Sequence, residues 1–241
     1  MSKRHPPCTA RWLGRVEYEE AWALQRELAL RRATGEIEDT LLLLEHPSVY
    51  TTGRRTRGDR LLVPAEALGA PLLEVDRGGD ITFHGPGQLI AYPIIGLGAR
   101  PRGVQAYVRG LEESIILTLG GYGIEAERDA GLTGVWVGRD KIAAIGVRVS
   151  RPGGAAGGWV SSHGLALNVS VDMGWFERIV PCGIADRGVT SMKRLGSGAP
   201  LLEVAGRLAR EFGAVFGRDV SSLDTHSPPS VVSVAPHLSA R

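Results

Sequence analysis

Hydrophobic and polar residues alternate along this chain with two distinct periods. From Val16 to Arg32, the positions Tyr18, Ala21, Trp22, Leu24, Gln25 and Leu28 recur at a helical spacing, which predicts a helix ending before Gly35. Asp39 to Glu45 encloses a continuous run, Leu41-Leu42-Leu43-Leu44, and reads as a buried strand that breaks at His46-Pro47. Leu72 to Val75 is a second strand, and the apolar run Leu89 to Ile95 is a third, central one. A second helix is predicted over 103–119, with Val104, Tyr107, Val108, Leu111, Ile115 and Leu119 on one face and Gly120-Gly121 as its stop. Gly134 to Val149 reads as a β-hairpin turning through Gly138-Arg139-Asp140-Lys141. Ser162 to Val169 is the next strand, and a helix over Leu201 to Phe216 closes the domain.

This order of elements predicts one α/β domain over residues 11–220, without internal repeat or break in composition. Residues 1–10 read as a flexible lead. The tail over 221–241, rich in Ser, Pro and Val, reads as disordered.

Composition narrows the function classes. At 241 residues the chain can bury a full core, and 43% hydrophobic with 22% charged residues is ordinary for a globular protein. A net charge of +2 and the lack of any Lys/Arg block argue against nucleic-acid binding. No run approaches transmembrane length and the N-terminus lacks a signal-peptide core, so a cytoplasmic protein with no membrane partner is expected. Cys8 and Cys182 are isolated, which is not the pattern of a disulfide scaffold. The six histidines are scattered, so no metal site is expected.

The densest chemistry lies in Arg77-Gly78-Gly79-Asp80-Ile81-Thr82-Phe83-His84-Gly85-Pro86-Gly87-Gln88. Glycines at that density let backbone approach a ligand and aim N–H groups at it, with a guanidinium fork and an imidazole alongside. A tight turn between strands is the plainer account of the same residues. Val180-Pro181-Cys182-Gly183-Ile184 is the second focus. Proline before and glycine after hold this cysteine on a stiff turn, whereas packing cysteines tend to sit inside periodic elements. At an ordinary pKa of about 8.5 only roughly 3% of a thiol is thiolate at pH 7, so a cysteine nucleophile needs a neighbouring cation. Lysines are scarce: Lys3, Lys141 and Lys193 are all the chain has. Lys141, at the hairpin turn, could exchange protons as arginine cannot, or could be a solvated turn residue.

Four segments in order, Arg77 to Gln88, Asp140-Lys141-Ile142-Ala143-Ala144-Ile145-Gly146, His163-Gly164-Leu165-Ala166-Leu167-Asn168 and Pro181-Cys182-Gly183, resemble the lipoyl(octanoyl) transferases of lipoate biosynthesis. The resemblance covers about residues 11–218 in that family's order and spacing. It implies a mixed, largely antiparallel sheet flanked by helices, as in lipoate and biotin protein ligase catalytic domains. It also implies an octanoyl thioester on Cys182, with Lys141 lowering the cysteine's pKa and shuttling protons. Substrate contacts are implied for Arg77, Gly78, Gly79, Asp80, Ile81, Thr82, Phe83 and His84, for Ala144, Ile145 and Gly146, and for Gly164, Leu165 and Ala166. That family often carries Gln at the position of Asp80, which makes the aspartate a departure.

The implied partners are octanoyl-acyl carrier protein as donor, and as acceptors the lipoyl domains of 2-oxoacid dehydrogenase complexes and the glycine cleavage H protein. A monomer without cofactor is implied. Transfer between thioesters is nearly isoenergetic and needs no ATP, in keeping with the lack of a Gly-x-x-x-x-Gly-Lys-Ser/Thr loop. Backbone N–H groups near Gly78-Gly79 or Cys182-Gly183 are candidate oxyanion donors. His84 could orient substrate or Lys141, or bond within its loop; His46 and His163 are weaker candidates for the site. Arg54, Arg55 and Arg57 would suit an acidic carrier, or form a solvated basic loop. The alternatives to this reading are an ATP-dependent lipoate or biotin-type ligase, a non-catalytic binding module and a cysteine hydrolase.

Overall fold

A computed structural model describes residues 5–56, 60–98, 103–154, 157–180, 187–220 and 222–225. The chain begins with strand β1 (Cys8–Arg15), helix α1 (Tyr18–Ala33), and strands β2 (Asp39–Glu45), β3 (Val49–Thr52), β4 (Leu72–Glu74), β5 (Thr82–His84) and β6 (Gln88–Ile94). Helix α2 (Val104–Gly120) follows, then β7 (Val135–Val137), β8 (Asp140–Ser150), β9 (Val160–Asn168), β10 (Gly188–Val189), helix α3 (Leu201–Phe216) and β11 (Leu223–Asp224). The large sheet runs β10-β8-β9-β6-β2-β1-β11, with β7 also paired to β8; β4-β3-β5 form a smaller one. Antiparallel pairing joins β2, β6, β9 and β8 in the middle, while β1–β2, β1–β11 and β8–β10 are parallel. The expected mixed, largely antiparallel sheet is present, with β6 in its centre.

Burial on both faces explains the unbroken apolar run in β2. Leu41 and Leu43 pack with Leu111 and Ile115 of α2 and Leu208 and Phe212 of α3. Leu42 and Leu44 face the opposite way, against Ala21, Leu24 and Leu28 of α1. A strand covered on both sides has no polar face to alternate with. A third cluster, around Tyr50, Phe83, Met173 and Phe176, holds the small sheet.

Both predicted chain ends need correction. Within the flexible lead expected over 1–10, residues 8–10 are strand instead: Cys8 and Ala10 are buried in β1, and the Cys8 N–H donates to Asp219 O at 2.9 Å. The sequence around Cys8 looks polar, yet its β-pairing with β2 is what orders it. Likewise the domain does not stop at residue 220, because Leu223 and Asp224 pair with Ala10 and Arg11 at the sheet edge. Residues 226–241 lie outside the described chain.

Candidate active site

The motif residues converge on a cavity on the α1 side of the sheet. Across β8 and β9, Ala144 is paired with Ala166 and Gly146 with Gly164. These four small residues line the cavity, along with Ile145 and Leu165, whose side chains join the core beneath α2 and α3. The opposite wall comes from Arg77, Asp80, Thr82 and His84, and the space between is about 420 Å³, open mouth included. Glycine is required at two of these places. A Cβ on Gly146 would lie 2.7 Å from Gly78 O, and one on Gly164 would lie 2.1 Å from Ala91 O. The Gly78 N–H donates to Val147 O at 3.0 Å, which lays the glycine-rich loop on β8.

Strand alternation divides the predicted wall. Thr82 and His84 face the cavity, whereas Ile81 and Phe83 point the other way into the cluster with Tyr50. Phe83 stacks on Trp175 with ring centres 5.0 Å apart. Ile81 and Phe83 therefore anchor the strand and do not line the cavity. Nor is Gly78 free to serve as an oxyanion donor, since its N–H is spent on Val147. Asp80 lines the cavity, accepts from the Ile81 N–H at 2.8 Å and pairs with Arg60 at 3.0 Å.

Arg77 and His84 belong to one buried polar chain. The Arg77 guanidinium donates to Thr51 O at 2.7 Å and to Thr51 Oγ1 at 2.8 Å. That hydroxyl, 3.3 Å from His84 Nε2, can donate its own proton there. His84 Nδ1–H donates to Gln88 Oε1 at 2.8 Å, Gln88 Nε2 donates to Asn168 Oδ1 at 2.9 Å, and Asn168 Nδ2 donates to Thr190 O at 2.9 Å. The Thr190 N–H in turn donates to Lys141 O at 3.0 Å. Burial first, and then the Arg77 charge beside it, holds the His84 pKa well below the ordinary histidine value, so the ring is neutral. A neutral ring is what this donor–acceptor order requires.

Lys141 is buried on β8 and not a solvated turn residue. Its Nζ lies 4.7 Å from the centre of the Trp136 ring on the paired strand β7, and Trp136 is fully buried. An aromatic face attracts an ammonium in this way without neutralising it. Glu112, buried in α2 between Arg109 and Arg128, accepts from the Gly134 N–H at 3.1 Å and ties down the start of β7. Pro181, Cys182 and Gly183 lie outside the described residues, as does Arg57. On one side of that segment the Val180 N–H donates to Arg60 O at 2.8 Å; on the other, Val189 of β10 pairs with Lys141.

Two cavity residues escape the motif reading, Tyr18 and Tyr92. Both look like core aromatics in sequence, one opening a helical stripe and one inside a buried strand. In space, the Tyr92 hydroxyl donates to His46 Nε2 at 2.8 Å, and His46 Nδ1–H donates to Val16 O at 2.6 Å. Tyr18 reaches His163 Nδ1 at 3.5 Å, and His163 Nε2–H donates to Asp76 Oδ1 at 2.8 Å. His163 thus lines the cavity, while His46 supports it from behind.

The fold is shared with solved structures of lipoate protein ligases. Protein Ta0514 from T. acidophilum, solved with bound lipoic acid, superposes with a TM-score of 0.71 at 16% identity, covering 92% of this chain and 89% of that one. A lipoate-protein ligase A bound with ATP gives 0.69 at 16% identity, over 90% of each chain. Residues 17–213 match the lipoyl protein ligase A/B catalytic domain, and the chain belongs to that family. Among relatives, the octanoyltransferase of Chloroflexus aurantiacus is 52% identical over 214 residues, 86% of this chain and 93% of that one. The octanoyltransferase of Mycolicibacterium gilvum is 47% identical over 235 residues, 94% of this chain and 92% of its own.

Proposed function

We propose that this protein is an octanoyltransferase that works in the cytoplasm as a monomer. It takes octanoyl from acyl carrier protein and delivers it to the lysine amine of lipoyl domains, including those of 2-oxoacid dehydrogenase complexes and the glycine cleavage H protein. The reading rests on roughly 50% identity to octanoyltransferases over most of the chain. The geometric observation that supports it is the cavity floored by Ala144 and Gly146 of β8, the strand that also carries Lys141, and by Gly164 and Ala166 of β9. An octanoyl tail offers about six methylenes for burial, on the order of 5 kcal/mol.

In the first step the Cys182 thiolate attacks the carbonyl carbon of the donor thioester. The carbon–sulfur bond to the carrier breaks, and the departing thiol takes a proton from the Lys141 ammonium. In the second step the acceptor lysine amine attacks the acyl-cysteine, neutral Lys141 takes its proton, and Cys182 leaves as thiolate. A buried ammonium close to the cysteine would favour the thiolate throughout. Arg54 and Arg55 give the carrier's acidic surface a complementary charge.

Mixing the purified protein with octanoyl-carrier thioester and taking an intact mass tests this reading. An octanoyl adduct that vanishes in Cys182→Ser, forms without ATP, and yields amide on a lipoyl domain is the expected result. Strict dependence on ATP would make the protein a ligase. Release of free octanoate alone would make it a hydrolase.

A further inference from the structure

His163 stands on the cavity face against the alternation of its own strand. In β9, Ala166 packs toward α1 with Gly164 on the same side, while Leu165 and Leu167 pack toward α2 and α3. Period two would send the His163 side chain toward α2 and α3, alongside its cross-strand partner Val147, which packs there. Instead its φ is 53°, and it is the one non-glycine residue with positive φ among those described. That left-handed backbone, which non-glycine residues rarely adopt, turns the imidazole toward α1. Three groups hold it there. The His163 N–H donates to Gln25 Oε1 at 2.7 Å, Nε2–H donates to Asp76, and the ring lies 6.2 Å from that of Trp22.

Each of those three holding residues also lines a second groove, beyond the cavity. Gln25, Asp76 and Trp22 border it with Ala29 and Leu30, and it encloses about 790 Å³, open mouth included. His163 lines the cavity on one side and bonds to the groove's walls on the other. It lies one register step past the Gly146–Gly164 pair, at the end of the β8–β9 floor away from Lys141.

We propose that His163 is the end wall of the acyl channel and the residue that sets acyl chain length. The proposal rests on the acyl-transfer reading for this same cavity. With the ring in place the channel stops at the Gly146–Gly164 step; without it the channel continues into the groove past Ala29 and Leu30. His163 is a specificity-determining residue and takes no part in the bond changes at Cys182.

The test uses His163→Gly, which suits the left-handed backbone, and His163→Asn, which tolerates it and keeps a smaller polar side chain. Octanoyl, decanoyl and dodecanoyl pantetheine thioesters are compared by kcat/KM for transfer and by calorimetric affinity, with thermal melts checking the fold. Each added methylene that finds apolar surface contributes about a fourfold gain in affinity. The decanoyl-to-octanoyl ratio should therefore rise by up to about sixteenfold in His163→Gly, less in His163→Asn, and both parameters should move together. Unchanged length profiles in both variants, or an unsubstituted enzyme that binds dodecanoyl as well as octanoyl, would overturn the proposal. An unsubstituted enzyme that binds octanoyl thioester without transferring it would sink the transferase reading and leave the wall to be judged on the binding ratios.

Discussion

Lys141 places its ammonium 4.7 Å from the centre of the Trp136 ring, and the two residues pair directly across the β7–β8 hairpin. The lysine is thereby buried in a single orientation beside β10, the strand that returns from the Cys182 segment. The ring attracts the cation without supplying a counter-charge.

Removing that platform should slow transfer more than it weakens binding. Trp136→Phe keeps a π face and should retain kcat to within about tenfold, given the 0.5–2 kcal/mol range of such contacts. Trp136→Leu loses the face and should lower kcat by a further order of magnitude with KM nearly constant. It should also destabilise the fold by about 3 kcal/mol, because the ring is fully buried. Steady-state kinetics on both variants decide the point, and equal kcat values would show the ring to be packing alone.

The chain from His84 through Gln88 and Asn168 to Thr190 O should behave as a unit. Asn168→Ala leaves Thr190 O without this partner in a buried setting and Gln88 Nε2 with only its bond to Phe83 O. A cost of about 1–3 kcal/mol follows, or a fall in Tm of several degrees. Because the Thr190 N–H bonds Lys141 O, octanoyl-adduct formation should slow as well. A double-mutant cycle of Gln88→Leu and Asn168→Leu should be strongly non-additive; simple additivity would argue against a connected chain.

Gly146→Ala and Gly164→Ala should each damage the cavity through backbone contacts that cannot yield. The added methyl group meets Gly78 O in the first case and Ala91 O in the second. Losses of about 1–3 kcal/mol in urea unfolding are expected. For Gly146→Ala, displacement of the Arg77–Gly79 loop should also raise KM for the acyl donor. Alanine at Gly120, where nothing crowds the added carbon, is the matching control and should be nearly neutral.

The buried histidines set an acid limit. Burial holds His46 at about 4 and, aided by the charges of Arg77, Arg148 and Arg26, His163 at about 3, against roughly 6.5 unfolded. Both folded pKa values are depressed, so above about pH 6.5 neither state is protonated at these rings and they add no pH dependence. As pH falls below that, the unfolded chain binds protons first and stability drops, by about 1.4 kcal/mol per pH unit for each ring, until its folded pKa is reached. Urea unfolding between pH 7 and 4.5 should show this slope, and His46→Gln should remove one ring's share. If the two slopes coincide, His46 is charged in the fold.

Local pattern reached far into this fold. The helices at 18–33, 104–120 and 201–216 and the strands around Leu41, Leu89, Ala144 and Leu165 follow from hydrophobic period and from glycine stops. Pairing across distant strands did not. Cys8 in a polar-looking stretch and Leu223 in a Ser-rich tail become strands because β2 and β1, respectively, offer them hydrogen bonds, and no local preference announces that. Tyr18 and Tyr92 passed as core for the same reason: a cavity wall and a core wall have the same periodicity.

By itself the sequence determined the chemical inventory: a glycine-rich segment able to lie against a strand, a rare lysine at a hairpin, small residues two apart on adjacent strands, and a cysteine between proline and glycine. Those are properties of residue type and short-range spacing, so they can be read from the chain. Only the tertiary structure decided which face each residue serves. Strand alternation and register turned Phe83 away from the cavity, paired Ala144 with Ala166, and buried Lys141 against Trp136. One left-handed residue reversed the alternation at His163. Faces and partners arise from contacts between segments far apart in sequence, and no single segment carries that information.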